Sequence, residues 1–370
     1  MNNWVVKKIL GINATINIDP LQSIKRISPS RFFGYSQCKL REVLAASNGD
    51  GFLPLNPEAY FGRAAHKLLE KVGKRIVLSP EELEEKWVTC LAEVEQILAN
   101  DYVTKYLVPL GAVVKRYEVK KRLLFNLATS LIPPPEKSCG DKQSKGGSEL
   151  WLESSNQVVG GFADKILNTV SGYEILDYKT GQVTDENGIK PEYSIQLKLY
   201  AVIFFETYNE WPTALKIIDR NGAIHNISFT AEECIQLLEE ASAIFRDVNE
   251  IIESDNSLNQ KLLMLATPSP ESCRYCTFRP VCISYWQQKC FSTNIQWPND
   301  LVGTIVNIEI LGNKMLLIKL DYNNIIYKIR GIDPQKYELK VNETYKFYNL
   351  IKDKADNYYS SAVLTTIYSE

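Results

Sequence analysis

The segment that most restricts how this chain can fold is Gly161 to Tyr200, GFADKILNTVSGYEILDYKTGQVTDENGIKPEYSIQLKLY. Short apolar pairs, Ile166-Leu167 and Ile175-Leu176, broken by glycine, asparagine and serine, predict neighbouring strands. Alternation along the second strand puts Ile175, Asp177 and Lys179 on one face. Asp164, on the preceding strand, reaches that face across the ladder. A helical segment over 193–207, carrying Gln196 and Tyr200, follows. Two carboxylates, with the backbone carbonyl of Tyr178, offer oxygen ligands to a hard divalent cation such as Mg2+ or Mn2+. A lysine beside such an ion suits hydrolysis of a phosphodiester. A lone D-x-K triplet is most often a solvated charge pair, so the rest of the chain must decide.

Upstream, Ser28 or Ser30 with Pro29 predicts a helix start, with Tyr35 and Cys38 on that helix or just after it. A turn-rich loop (Asn48-Gly49-Asp50-Gly51, Pro54, Pro57) leads to a second helix from Tyr60, where Gly62 and His66 share a face at i, i+4. Residues 80–110 read as further helix started by Ser79-Pro80-Glu81-Glu82, and 113–125 is ambiguous between helix and strand. Residues 133–148 lack apolar periodicity and read as a loop. After 193–207 come short strands at 215–218 and 224–227, then a helix from Thr230 to about Glu253 opened by a capping box. Beyond Pro298 five β-rich runs, 302–310, 315–320, 325–330, 344–351 and 358–368, predict a small closed or partly open barrel.

His66 is one of two histidines in the chain. By itself it reads as a packed or surface histidine. In the chain order His66, Asp164, Asp177, Lys179, Gln196, Tyr200 it becomes a candidate metal ligand. His225 has no comparable context. At this point the sequence resembles the RecB-type branch of the PD-(D/E)XK nuclease superfamily. The matching residues are Gly62-x-x-x-His66, Gly161-Phe162-Ala163-Asp164, Ile175-Leu176-Asp177-Tyr178-Lys179-Thr180-Gly181 and Gln196-x-x-x-Tyr200. The resemblance spans about residues 25–290. It implies an α/β core with a central mixed sheet flanked by helices, metal on His66, Asp164 and Asp177, and Lys179 as catalytic lysine. Gln196 and Tyr200 would position the substrate strand and the lysine. No core motif residue is missing, so the expectation is an active deoxyribonuclease acting on single strands or DNA ends, in repair or defence against foreign DNA.

Eight cysteines occur. Three form a compact cluster, Cys273-x-x-Cys276-x5-Cys282, and Cys38 is the candidate fourth ligand. Thiolates at this spacing suit zinc or iron-sulfur alike. The arrangement resembles the subfamily, including the AddB nuclease and the CRISPR-associated iron-sulfur exonucleases, in which one early and three late cysteines hold a [4Fe-4S] cluster. That resemblance implies the same cluster here, pinning the two ends of the nuclease domain. Cys90, Cys139, Cys234 and Cys290 read as non-ligands, Cys290 being the nearest in sequence to the cluster.

At 370 residues the chain holds one large domain and a small one, expected over 1–292 and 298–370. A formal net charge of -2 gives no global field for a polyanion, so any nucleic-acid surface must be a local patch. The run Leu199–Phe205 is too short to span a bilayer, and the first residues lack the apolar core of a signal peptide, which predicts a cytoplasmic protein. The barrel resembles an OB-fold in strand count and length. Tyr327, Tyr345, Phe347, Tyr348, Tyr358 and Tyr359 could stack bases, with Lys328 and Arg330 on the backbone, or could fill the barrel core. No G-x-x-x-x-G-K-[ST] loop occurs, so any unwinding would come from a helicase partner. The rival reading is a non-catalytic DNA-binding or scaffold subunit that uses the barrel to recruit such a motor.

Overall fold

The computed structural model describes residues 18, 20–132, 147–291 and 296–370. Most of the expected lead-in over 1–27, nearly all of the loop at 133–148, Cys139 and the junction at 292–295 lie outside the described residues.

Helices α1 (Pro29–Gln37), α2 (Lys39–Asn48), α3 (Pro57–Gly73) and α4 (Leu83–Ala99) come first. A short turn of helix α5 (Leu110–Val113) and helix α6 (Tyr117–Leu131) follow. The ambiguous run at 113–125 is therefore helical. Leu124, Leu127 and Ala128 supply its buried stripe. Strands β1 (Gly147–Glu153), β2 (Gly160–Thr169) and β3 (Gly172–Lys179) form an antiparallel meander. A two-residue hairpin, β4 (Thr184–Asp185) with β5 (Gly188–Ile189), leads into α7 (Pro191–Tyr208). This helix carries the chain back so that β6 (Ala214–Asp219) lies parallel to β3, the crossover that parallel pairing requires. β7 (Ile224–Ile227) closes the sheet antiparallel, in the order β1-β2-β3-β6-β7.

Helix α8 (Ala231–Glu253) begins at Thr230, whose hydroxyl accepts from the Glu233 N–H while the Glu233 carboxylate accepts from the Thr230 N–H. It covers α7, whose residues Leu199 to Phe204 are all buried. A helix apolar on every side must be enclosed, and α7 lies between the sheet and α8. Helices α1, α2, α7 and α8 share one hydrophobic core on one face of the sheet. Helices α3, α4 and α6 share a second core with Leu176 and Ile218 on the other. The result is a mixed sheet flanked by helices. The short helices α9 (Leu258–Leu265), α10 (Pro270–Arg274) and α11 (Ile283–Phe291) complete this part.

The C-terminal residues form a curled sheet, a half-barrel compatible with an OB-like domain. Its strands are β8 (Leu301–Ile310), β9 (Leu316–Tyr322), β10 (Ile325–Ile332), β11 (Thr344–Tyr348), β12 (Ile351–Lys352), β13 (Tyr358–Ser360) and β14 (Thr366–Ser369). Five sequence runs become seven strands because the last two runs each break in the middle. The break has a purpose in the topology. β13 pairs parallel with β10, and β14 pairs antiparallel with β11, so one chain segment binds strands far apart in the sheet order. The expectation that the barrel's aromatics stack bases is corrected for four of them. Tyr345, Phe347 and Tyr359 fill the core that the curled sheet turns inward, and Tyr348 is buried on the other face against Trp286 and Tyr368. Of the cations, Lys328 donates to the Tyr358 hydroxyl at 2.6 Å and Arg330 pairs with Asp353.

A buried polar knot joins the two parts. Arg279, 1% exposed, donates to the carbonyls of Cys273 and Cys276, to Asp300 Oδ2 at 2.7 Å and to Asn349 Oδ1. The Tyr285 hydroxyl donates to the same carboxylate at 2.7 Å, and the Asn349 N–H to its other oxygen. A buried guanidinium needs this many acceptors to offset its lost hydration. No described helix is long and apolar enough to cross a membrane.

Candidate active site

The site forms where α3 passes the β1-β2-β3 meander and α7 lies behind it. Asn56 caps α3 by accepting from the Glu58 N–H, and Pro57 takes the first position. Gly62 sits where a side chain would meet Thr180 Oγ1 at 3.3 Å, so the small residue lets the end of β3 approach the helix. One turn later His66 reaches over the sheet, its side chain 45% exposed.

Asp164 stands where the β2–β3 ladder stops. The paired register runs from Thr169 opposite Gly172 to Lys165 opposite Leu176. Beyond it, the Tyr178 N–H donates to Asp164 Oδ2 at 2.9 Å. The carboxylate thus stands in for a ladder carbonyl and is fixed in place. Its other oxygen lies 3.7 Å from His66 Nε2.

Glu149 completes this group, and sequence reasoning missed it. It is on β1 between Ser148, opposite Lys165, and Leu150, opposite Ala163, so the register sets it across from Asp164. Its backbone is left-handed, φ 52°, a strained choice for a glutamate inside a strand. Its carboxylate lies 3.4 Å from His66 Nε2. The ligand atoms of His66, Glu149 and Asp164 all fall within 4.8 Å of one another. No local motif marks this glutamate, because it enters through strand register and not through spacing.

Asp177 and Lys179 are held from behind. Lys179 Nζ lies 2.8 Å from Asp177 Oδ2. Gln196, on α7, accepts from Lys179 Nζ at 3.0 Å and donates to Asp177 Oδ1 at 2.9 Å. One amide therefore grips both groups. Asp177, 3% exposed, thus has Oδ2 against the Lys179 ammonium and Oδ1 against the Gln196 amide. Tyr200 donates to the Phe162 carbonyl at 2.7 Å and so anchors β2 two residues before Asp164. Gly161 makes room for it, since a Cβ there would meet Pro29 at 3.0 Å and the Tyr200 hydroxyl at 3.1 Å. Gln196 and Tyr200 are both buried. Gln196 reaches Lys179 and Asp177, and Tyr200 reaches the β2 backbone beside Asp164.

The electrostatics show a site overloaded with negative charge. Burial, then the charge of Asp177, pushes Asp164 up to about 7, against the pull of His66 and the Tyr178 N–H. The hydrogen bond to Glu149 raises His66 to about 9, although burial opposes it. Burial works against the charge on Lys179, but Asp177 outweighs it and the ammonium is stabilised. An imidazole and two crowded carboxylates, with the Asp177 carboxylate paired to Lys179 beside them, are a donor set that fits a hard divalent cation.

The four cysteines singled out by spacing line one small cavity with Phe278 and Tyr285. Cys38 enters between α1 and α2, and the other three come from the α10–α11 region. All four are buried and carry no disulfide. Burial pushes the thiols of Cys276 and Cys282 up to about 12. Cys90 and Cys234 are buried in the two helical layers and Cys290 is exposed beside Tyr322, all away from this cavity. His225 faces Asp219 at 3.3 Å on the far edge of the sheet.

No curated protein matches the chain significantly. A solved structure from Eubacterium rectale, provisionally described as an exonuclease, matches with 12% identity over 73% of this chain and 91% of that one, TM-score 0.34. The family profile of the PD-(D/E)XK nuclease superfamily matches residues 26–283, which hold every residue of the site just described. The chain belongs to the PD-(D/E)XK nuclease superfamily.

Proposed function

We propose that this nuclease is a metal-dependent deoxyribonuclease that cuts single strands or DNA ends, in repair or in defence against foreign DNA. The observation that carries the reading is the Gln196 amide, which holds Lys179 and Asp177 together beside the His66, Glu149 and Asp164 group. Mg2+ or Mn2+ bound by His66, Asp164 and Asp177, with Glu149 and the Tyr178 carbonyl at hand, would polarise the scissile phosphate and acidify a bound water. Lys179 presents a stabilised ammonium to the charge that grows on the phosphoryl oxygens. Gln196 fixes that ammonium. Tyr200 and the Tyr178 N–H fix Asp164.

The sequence resemblance implies a structural [4Fe-4S] cluster on Cys38, Cys273, Cys276 and Cys282, four cysteines that line one cavity. Among the described residues no three of these sulfurs lie mutually within 4.8 Å. The division into a nuclease domain over 1–292 and an OB-like domain over 298–370 follows the separate barrel core. A helicase partner and a cytoplasmic site of action complete the reading.

The test is digestion of end-labelled and circular single strands with Mn2+, comparing wild type with Asp177→Ala and Lys179→Ala. Loss of cutting in both variants is the expected result. Equal cutting by either variant rejects the site. Tight strand binding by wild type with no turnover under any metal favours the non-catalytic scaffold.

A further inference from the structure

Between the nuclease core and the barrel lies a groove of about 790 Å3. One wall is the segment Leu53–Ala59, which ends in the first turn of α3. The opposite wall is barrel segment Ala362–Leu364 with Asn349, and Tyr275 stands on the rim. Tyr275 is 71% exposed, with the Arg274 guanidinium 5.4 Å from its ring centre. A large aromatic held in water with a cation against its face is the arrangement that stacks a nucleobase.

The charges lining the groove agree. Glu58 is neutralised by Lys120 and Arg279 by Asp300. Lys115 and Arg274 line it, with no ion pair among the described residues. Glu271 lines a neighbouring recess and not this groove. The groove also points at the site. Ala59, Gly62 and His66 fall at i, i+3 and i+7 of α3, on one face of the helix. Ala59 is exposed, Gly62 and His66 are half-exposed, and the flanking Tyr60, Phe61, Ala64 and Ala65 are buried. Seven residues of helix span about 10 Å. An extended polymer leaving the groove along this stripe arrives at His66.

We propose that this groove is the entry path of a single nucleic-acid strand, with Tyr275 stacking a base and Arg274 and Lys115 holding phosphates. The proposal rests on the nuclease reading for its direction but not for its binding test. That test is anisotropy of fluorescein-labelled 20-mer oligo(dT) and oligo(U) without added divalent metal. The proteins compared are wild type, Tyr275→Ala, Tyr275→Trp and Lys115→Glu. In parallel, hydrolysis of a small chromogenic thymidine phosphodiester is followed with Mn2+.

Tyr275→Ala should weaken oligonucleotide binding about 5- to 150-fold and Tyr275→Trp should restore it. Lys115→Glu should lower the log–log salt slope by about 0.7 or more. Hydrolysis of the small ester, too short to reach the groove, should be unchanged. Unaltered binding and salt slope in the variants would overturn the groove and leave the nuclease reading standing. So would displacement of the oligonucleotide by poly-glutamate as efficient as by unlabelled strand. Weakened strand binding in the Tyr275→Ala protein, with no hydrolysis by wild type, would keep the groove and sink the nuclease.

Discussion

At the scale of single residues, the candidate site is set by buried groups that hold its charged side chains in place. Gln196 is 6% exposed and bonded to both Lys179 and Asp177. Replacing it by alanine frees the lysine and leaves a buried carboxylate oxygen short of a donor. Such orienting partners are worth about 10- to 100-fold. Gln196→Ala should therefore cut single strands about 10- to 100-fold more slowly, with the circular dichroism spectrum of wild type. A rate within twofold of wild type would show that the amide does not orient the lysine. Glu149 makes a parallel claim on His66. Glu149→Gln keeps the size and removes the charge, and should weaken Mn2+ binding about 10- to 100-fold by calorimetry. Unchanged affinity would mean that the glutamate only lines the cavity.

At the scale of elements, α7 and α8 do the positioning. α7 presents Gln196 and Tyr200 to the sheet because it is enclosed on all sides, and α8 provides the outer cover. The Thr230–Glu233 capping box begins α8. Thr230→Ala should cost about 1 kcal/mol, read as a lower urea midpoint with an unchanged slope. Cleavage by the folded variant should match wild type, since the Thr230 side chain bonds only within the first turn of α8. Most of these elements were legible beforehand. α8 begins at Thr230 as expected, while α7 begins at Pro191, two residues before the expected 193, and α3 at Pro57, three before Tyr60. The run at 113–125 was not, because its mixed charges fit an exposed strand as well as an exposed helix, and only packing against α3 decides. Glu149 was not either, since it depends on which residue of β1 faces Asp164.

At the scale of the whole molecule, the cysteine cavity and the barrel are joined through Arg279 and Asp300. Their side chains are 2% and 0% exposed. Arg279→Met leaves the Asp300 charge buried and unpaired, at a cost of about 3–5 kcal/mol. Limited proteolysis should then release the barrel as a fragment at temperatures where wild type resists. A wild-type digestion pattern would show that the knot is dispensable. The cluster reading predicts a brown protein when purified without air, with broad absorption near 400 nm that Cys276→Ser abolishes. A colourless preparation containing zinc would replace iron-sulfur by a single ion.

The order of His66, Asp164, Asp177, Lys179, Gln196 and Tyr200, the helix starts and the strand runs were readable from the chain alone. Residue type and short-range periodicity encode them. Tertiary structure decided what depends on register and curvature. It set Glu149 against His66 and turned Gln196 and Tyr200 toward the catalytic groups. It also rolled Tyr345, Phe347 and Tyr359 into the barrel core and left Tyr275 in water at the mouth of a groove. A one-residue slip of a strand reverses which side chains face inward. Such a slip changes no local pattern, so only the assembled sheet could settle these placements.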